Sequence, residues 1–91
     1  MAHIRISPAL RPEVGGNQTV AVEGATAREA LQALLAEYPS LNGRVLEDGE
    51  LPAFLNVFVD GEDVRFLSGL DTEVGAETTI LLLPAMAGGT L

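Results

Sequence analysis

Only one stretch of this sequence repeats with the period of an amphipathic helix, and segments that alternate like strands flank it on both sides. In "TAREALQALLAEYP", residues 26–39, Ala27, Ala30, Leu31, Leu34, Leu35 and Tyr38 share one helical face. Thr26, followed three residues later by Glu29, is a capping-box signature that opens the helix, and Pro39 suits a stop just beyond it. A single helix can bury one face of one sheet. The strands must therefore find their core under that helix, and the opposite sheet face is left to be covered by a loop or to stay open.

The strands read from period-two alternation. "AHIRISP" puts Ile4 and Ile6 on one face and His3, Arg5 and Ser7 on the other, and Pro8 and Pro12 restrict its continuation. "QTVAVEG" alternates again, with Val20 and Val22 together, so the two segments form a hairpin whose connection holds Gly15 and Gly16. After the helix, "SLNGRVLEDGELP" is polar and punctuated by glycine, which predicts a loop with a short helical turn around Leu41 to Leu46. "FLNVFVDG" is a third strand, "DGED" turns it into a short fourth strand "VRF", and "TTILLLPA" is the last, after the loop "LSGLDTEVGAE". The order is β-β-α-β-β-β, an α+β chain without internal repeats or linkers.

Ninety-one residues and a hydrophobic share of 47% suit one small folded domain with little room for an enclosed catalytic pocket. The absence of cysteine excludes disulfides, thiolate metal sites and a cysteine nucleophile. Thirteen acidic residues against five arginines and no lysine give a formal charge of −8, which repels phosphate backbones and anionic lipid surfaces. Nucleic acid and membrane are not expected partners; a basic protein surface is, beside the plain role of charge in solubility. The apolar run Ile80 to Leu83 is far short of a membrane span and "MAHIRIS" lacks a signal-peptide core, so the expected location is the cytoplasm.

Alternation in the last strand also bears on function. If Ile80, Leu82, Val57 and Val59 pack under the helix, then Phe58, Leu81 and Leu83 point to the other side of the same sheet. Either the loop at residues 40–53 folds over them or they form an apolar docking surface beside the C-terminal tail. Partner-binding candidates are thus Phe58, Leu81 and Leu83, with Met86 and Ala87 just beyond the last strand.

The strand order, "FLNVFVDGEDVRFLSGLDTEV" and the closing "LPAMAGG" together resemble the ThiS/MoaD family of prokaryotic sulfur-carrier proteins. Within it the chain is most similar to the carriers of thiocarboxylate-dependent cysteine biosynthesis, which share an opening like "ISPALRP" and a glycine pair like Gly15 and Gly16. The resemblance spans nearly the whole chain. It implies a ubiquitin-like β-grasp fold, with a mixed sheet of four to five strands and one main helix across one face, a domain over residues 1–87 and a flexible tail over 88–91.

It also implies a carrier and cosubstrate, not an enzyme, that binds no cofactor itself. A ubiquitin-activating-type adenylyltransferase would use ATP to adenylate the carboxylate of Gly89, and sulfur would then be passed as a thiocarboxylate to a sulfur-acceptor synthase. Gly88 and Gly89 lack side chains, which lets an extended tail thread a narrow channel. Here the sequence departs from the family pattern. Thr90 and Leu91 follow Gly89, so a cut between Gly89 and Thr90, by a JAMM-type zinc peptidase or a similar protease, is expected to precede activation unless the two residues are a neutral extension. Conjugation of Gly89 to amines of other proteins, as a ubiquitin-like modifier, is the alternative use of the same adenylate.

Other candidates carry less. His3 is the only histidine and falls on an exposed strand position, which suits a surface residue better than a metal ligand or general base. The acids Glu47, Asp48 and Glu50, and the pair Glu62 and Asp63, lie in turns and lack the spacing of a calcium loop, so no metal site is expected. No nucleophile-elbow, Walker or dinucleotide signature is present.

Overall fold

The computed structural model describes residues 1–84. Five strands and one helix make up the fold: β1 (Ala2–Ile6), β2 (Thr19–Val22), α1 (Ala27–Glu37), β3 (Leu55–Val59), β4 (Glu62–Asp63) and β5 (Thr79–Pro84), with 3-10 turns between them. The strands form one sheet in the order β2-β1-β5-β3-β4. The central strand β5 runs parallel to β1, with Ile4 opposite Ile80 and Ile6 opposite Leu82. The β1–β2, β3–β5 and β3–β4 pairs are antiparallel. The sheet is therefore mixed, as the family resemblance implies.

Local chemistry explains the helix. Thr26 is extended and its side chain accepts a hydrogen bond from Glu29 N at 3.2 Å, while Glu29 Oε1 reaches back to Ala25 N at 2.8 Å. These contacts occupy backbone donors that have no intrahelical partner. Ala27, Ala30, Leu31 and Leu34 are buried, and Leu35 and Tyr38 pack half-buried against the same core. Under them lie Ile4, Ile6, Leu55, Val57, Ile80 and Leu82, each no more than 2% exposed. The loop after the helix adds Leu41, Val45 and Leu46 to this single core.

Gly24 sets how closely the helix can approach. A Cβ at this position would lie 2.7 Å from Ala30 N and 3.0 Å from Glu29 C, so the chain leaving β2 passes directly against the first turn of α1. Replacing Gly24 with alanine forces two backbone segments apart. Overpacking of this kind costs about 1–3 kcal/mol. Urea denaturation of G24A is expected to show a lower midpoint with an unchanged slope, and an unaltered midpoint would mean that the helix shifts freely.

Three expectations are corrected. "VRF" is not the fourth strand: pairing stops at Asp63, and Val64–Phe66 forms a 3-10 turn. Asp63 Oδ1 accepts from Arg65 N at 2.8 Å, and this local cap competes with the strand. The turn buries Val64 and leaves Phe66 86% exposed. Second, Ser7 does not continue the outward face of β1; it is buried, and its Oγ has no partner among the described residues. The strand ends at Ile6, and Arg11 Nε bonds the Ile6 carbonyl as the chain turns away. Third, the helical turn expected around Leu41 to Leu46 lies earlier, at Pro39–Leu41, because Pro39 occupies its first turn without costing a backbone donor. The Leu41 carbonyl then accepts from both Arg44 N and Val45 N.

Candidate functional site

The two faces of β3 and β5 have different fates. In β5, Ile80 and Leu82 are fully buried, Leu81 is half-buried and Leu83 is 39% exposed. In β3, Leu55, Val57 and Val59 are buried while Asn56 and Phe58 are half-buried. Register places Phe58 beside Leu81 and Asn56 beside Leu83. The structure thus brings Phe58, Leu81 and Leu83 together on the face away from the helix, around an open hollow of ≈ 300 Å³ that Arg5, Gly61 and Thr79 also line. The loop at 40–53 does not cover this hollow, because its large apolar side chains have gone into the core.

Arg5 and Thr79 were not singled out by sequence reasoning. Alternation put Arg5 on the outward face of β1, but only the parallel pairing of β1 with β5 sets it directly beside Leu81. Across the sheet the outward side chains run Thr19, Arg5, Leu81, Phe58, Asp63. His3 is exposed on this same face, opposite Thr79 and Ala21. Among the described residues no cluster of His, Asp and Glu could hold a metal ion, and no helix is long and apolar enough to cross a membrane.

The hollow lies along the strand that leads to the tail. β5 ends at Pro84, which together with Ala9, Leu10, Arg44 and Phe54 lines a second apolar depression. Phe54, 45% exposed, continues the apolar surface towards the end of β5. The remaining candidates, Met86, Ala87, Gly88, Gly89 and Thr90, lie outside the described residues, as does the boundary expected between the domain and its tail.

A mixed five-stranded sheet with one helix across one face, and the other face open beside the C-terminal strand, is the β-grasp architecture of ubiquitin-like proteins. Residues 4–89 match the ThiS family, and the chain belongs to it. It is 36% identical over 89 residues to the sulfur carrier protein CysO of Mycobacterium tuberculosis, covering 94% of this chain and 96% of that one. It is 40% identical over 81 residues to small archaeal modifier protein 1 of Haloferax volcanii, covering 85% and 88% of the two chains. Among solved structures, a chain of the BexX/CysO complex of Amycolatopsis orientalis superposes with a TM-score of 0.90 at 36% identity, over 98% of this chain and all of that one.

Proposed function

We propose that this chain is a sulfur carrier whose reactive group is the C-terminal carboxyl of Gly89, exposed by removal of Thr90 and Leu91. The observation that carries the reading is the near full-length similarity to CysO sulfur carriers in a chain whose last strand runs, through Pro84, towards "AMAGG". In this reading residues 1–87 are the folded domain and 88–91 the tail. Fully extended, Gly89 reaches at most about 17 Å beyond Pro84, enough to enter a partner's nucleotide site while the domain stays outside.

The chemistry asks little of the carrier's own side chains. A carboxylate oxygen of Gly89 attacks the α-phosphorus of ATP, pyrophosphate leaves, and the resulting acyl-adenylate is an activated carboxyl. Hydrosulfide, released by the sulfur donor, then attacks the acyl carbon and AMP leaves, giving a thiocarboxylate that a sulfur-acceptor synthase consumes. The partner enzyme supplies ATP and catalysis, while the carrier supplies a slender tail at Gly88 and Gly89 and a docking face at Phe58, Leu81 and Leu83, continued by Met86 and Ala87. Cysteine and sulfur-containing secondary metabolites are the products this reading favours, and cytoplasm is the location it implies.

Intact-mass spectrometry tests the reading. A Gly89-terminated chain, incubated with an adenylating enzyme that acts on ThiS-family carriers, ATP and a sulfur donor, is expected to gain the mass of one oxygen-for-sulfur exchange. No gain across a panel of such enzymes would overturn it. The similarity to a small archaeal modifier protein favours one second reading, conjugation of Gly89 to amines of other proteins. Recovery of Gly89 linked to lysines of cellular proteins, without free thiocarboxylate, would select that reading. The chain has no lysine, which argues against lysine-linked homopolymers in either case.

A further inference from the structure

The open sheet face holds a cation that no described residue pairs with. Of the five arginines, Arg28 pairs with Asp71, Arg44 with Glu13 and Arg65 with Asp63, while Arg11 donates to the Ile6 carbonyl. Arg5 has no carboxylate partner and no side-chain hydrogen bond among the described residues, and it lines the hollow formed by Phe58, Leu81 and Leu83. In a molecule of formal charge −8 this is unexpected. The strand carboxylate in the same cross-sheet row, Asp63, has a side chain only 16% exposed and is held by Arg65. At the rim, Asp60 is tied to β5 by its Oδ1, which accepts from Thr79 N at 3.0 Å.

We propose that Arg5 is the polar anchor of the docking face, and that the adenylating partner presents a carboxylate to it beside the apolar group seated among Phe58, Leu81 and Leu83. This rests on the sulfur-carrier reading and adds to it the chemistry of the partner's surface. Once the hollow is covered, the guanidinium beside Leu81 loses water, and desolvation is tolerated only if an anion replaces it. A planar guanidinium and a carboxylate make paired hydrogen bonds of fixed direction, which an apolar contact alone does not provide. Arg5 then sets the orientation of the carrier on its partner, while the surrounding negative charge acts at longer range. The overall charge of the chain disfavours a second copy of itself as the occupant.

The test uses an adenylating enzyme that converts the unaltered Gly89-terminated chain, so failure of the sulfur reading shows at that stage and overturns both proposals. Arg5→Gln is expected to raise KM for the carrier about tenfold while kcat changes less than about twofold, the pattern of a lost binding contact. Gln32→Glu makes the same change in net charge on the exposed side of α1 and is expected to leave both constants alone. Equal behaviour of these two variants would overturn the proposal. Arg5→Lys retains the charge and introduces the sole side-chain amine of the chain. Carbodiimide coupling of its complex with the enzyme should form an isopeptide bond between position 5 and an enzyme carboxylate, located by tandem mass spectrometry. Coupling of position 5 only to a second carrier, or to no enzyme carboxylate, would also overturn it. Because Arg5 makes no side-chain hydrogen bond or ion pair among the described residues and Gln32 is exposed, thermal unfolding of all three variants should match that of the parent.

Discussion

A chain that ends at Gly89 should form an acyl-adenylate with its partner enzyme, and a chain that runs on through Thr90 and Leu91 should form none. In the longer chain Gly89 is part of a planar peptide bond, whose nitrogen lone pair is delocalised onto the carbonyl. There is no carboxylate oxygen at Gly89 to attack the α-phosphorus, so the expected difference is complete loss of activity. Adding a peptidase that cuts between Gly89 and Thr90 should restore the longer chain to the level of the shorter one. Gly89→Val in the shorter chain should abolish activation as well, because a branched side chain blocks a channel that admits glycine. Leu91→Ala in the longer chain should have little effect, since the released dipeptide takes no part in the chemistry. The measurement is ATP-dependent thiocarboxylate formation by each chain with and without the peptidase. Equal activity of the two unsubstituted chains in a peptidase-free assay would remove Gly89 from the mechanism.

What could be read from the sequence was what local chemistry decides. The limits of α1 follow from Thr26, Glu29 and Pro39, whose contacts span a few residues, and the structure reproduces them. The two faces of β3 and β5 follow from alternation alone: Val57, Val59, Ile80 and Leu82 are buried, and Phe58, Leu81 and Leu83 share the opposite face. The misses come from competition that alternation cannot see. "VRF" has the composition of a strand, but the carboxylate of Asp63 offers Arg65 N a local acceptor in place of a neighbouring strand. Ser7 has the right parity for an exposed position, yet the chain bends after Ile6 and carries it inward. The neighbours of Arg5 are illegible in the sequence for a third reason. Its place beside Leu81 depends on a parallel pairing between the first and last strands, and no short-range pattern reports which strands become neighbours.

Adjacent substitutions in β5 should have opposite outcomes, and the contrast tests the facing of the sheet and the docking surface together. Leu82 is fully buried and sits between Ile6 on one side and Val57 on the other. Leu82→Asp places a carboxylate there with no donor prepared for it, and removes an apolar side chain from the centre of the core. A cost of about 4 kcal/mol or more is expected, a large part of the roughly 5–15 kcal/mol that holds a small domain together. The chain should lose its cooperative thermal transition or unfold at much lower temperature. Leu83, one residue on, points to the other face and is 39% exposed. Leu83→Asp keeps its new charge in water, so its cost is the poorer strand propensity, about 1 kcal/mol. If the partner docks on that face, as proposed, KM for activation should rise about tenfold or more, the scale of a lost apolar anchor. Two measurements on each variant, thermal unfolding and activation kinetics, separate the possibilities. If Leu83→Asp unfolds the chain, its side chain belongs to the core and the facing of β5 is wrong. If it folds and is activated like the parent, the partner docks elsewhere, and the hollow bounded by Phe58, Leu81 and Arg5 is not the surface through which this carrier is read.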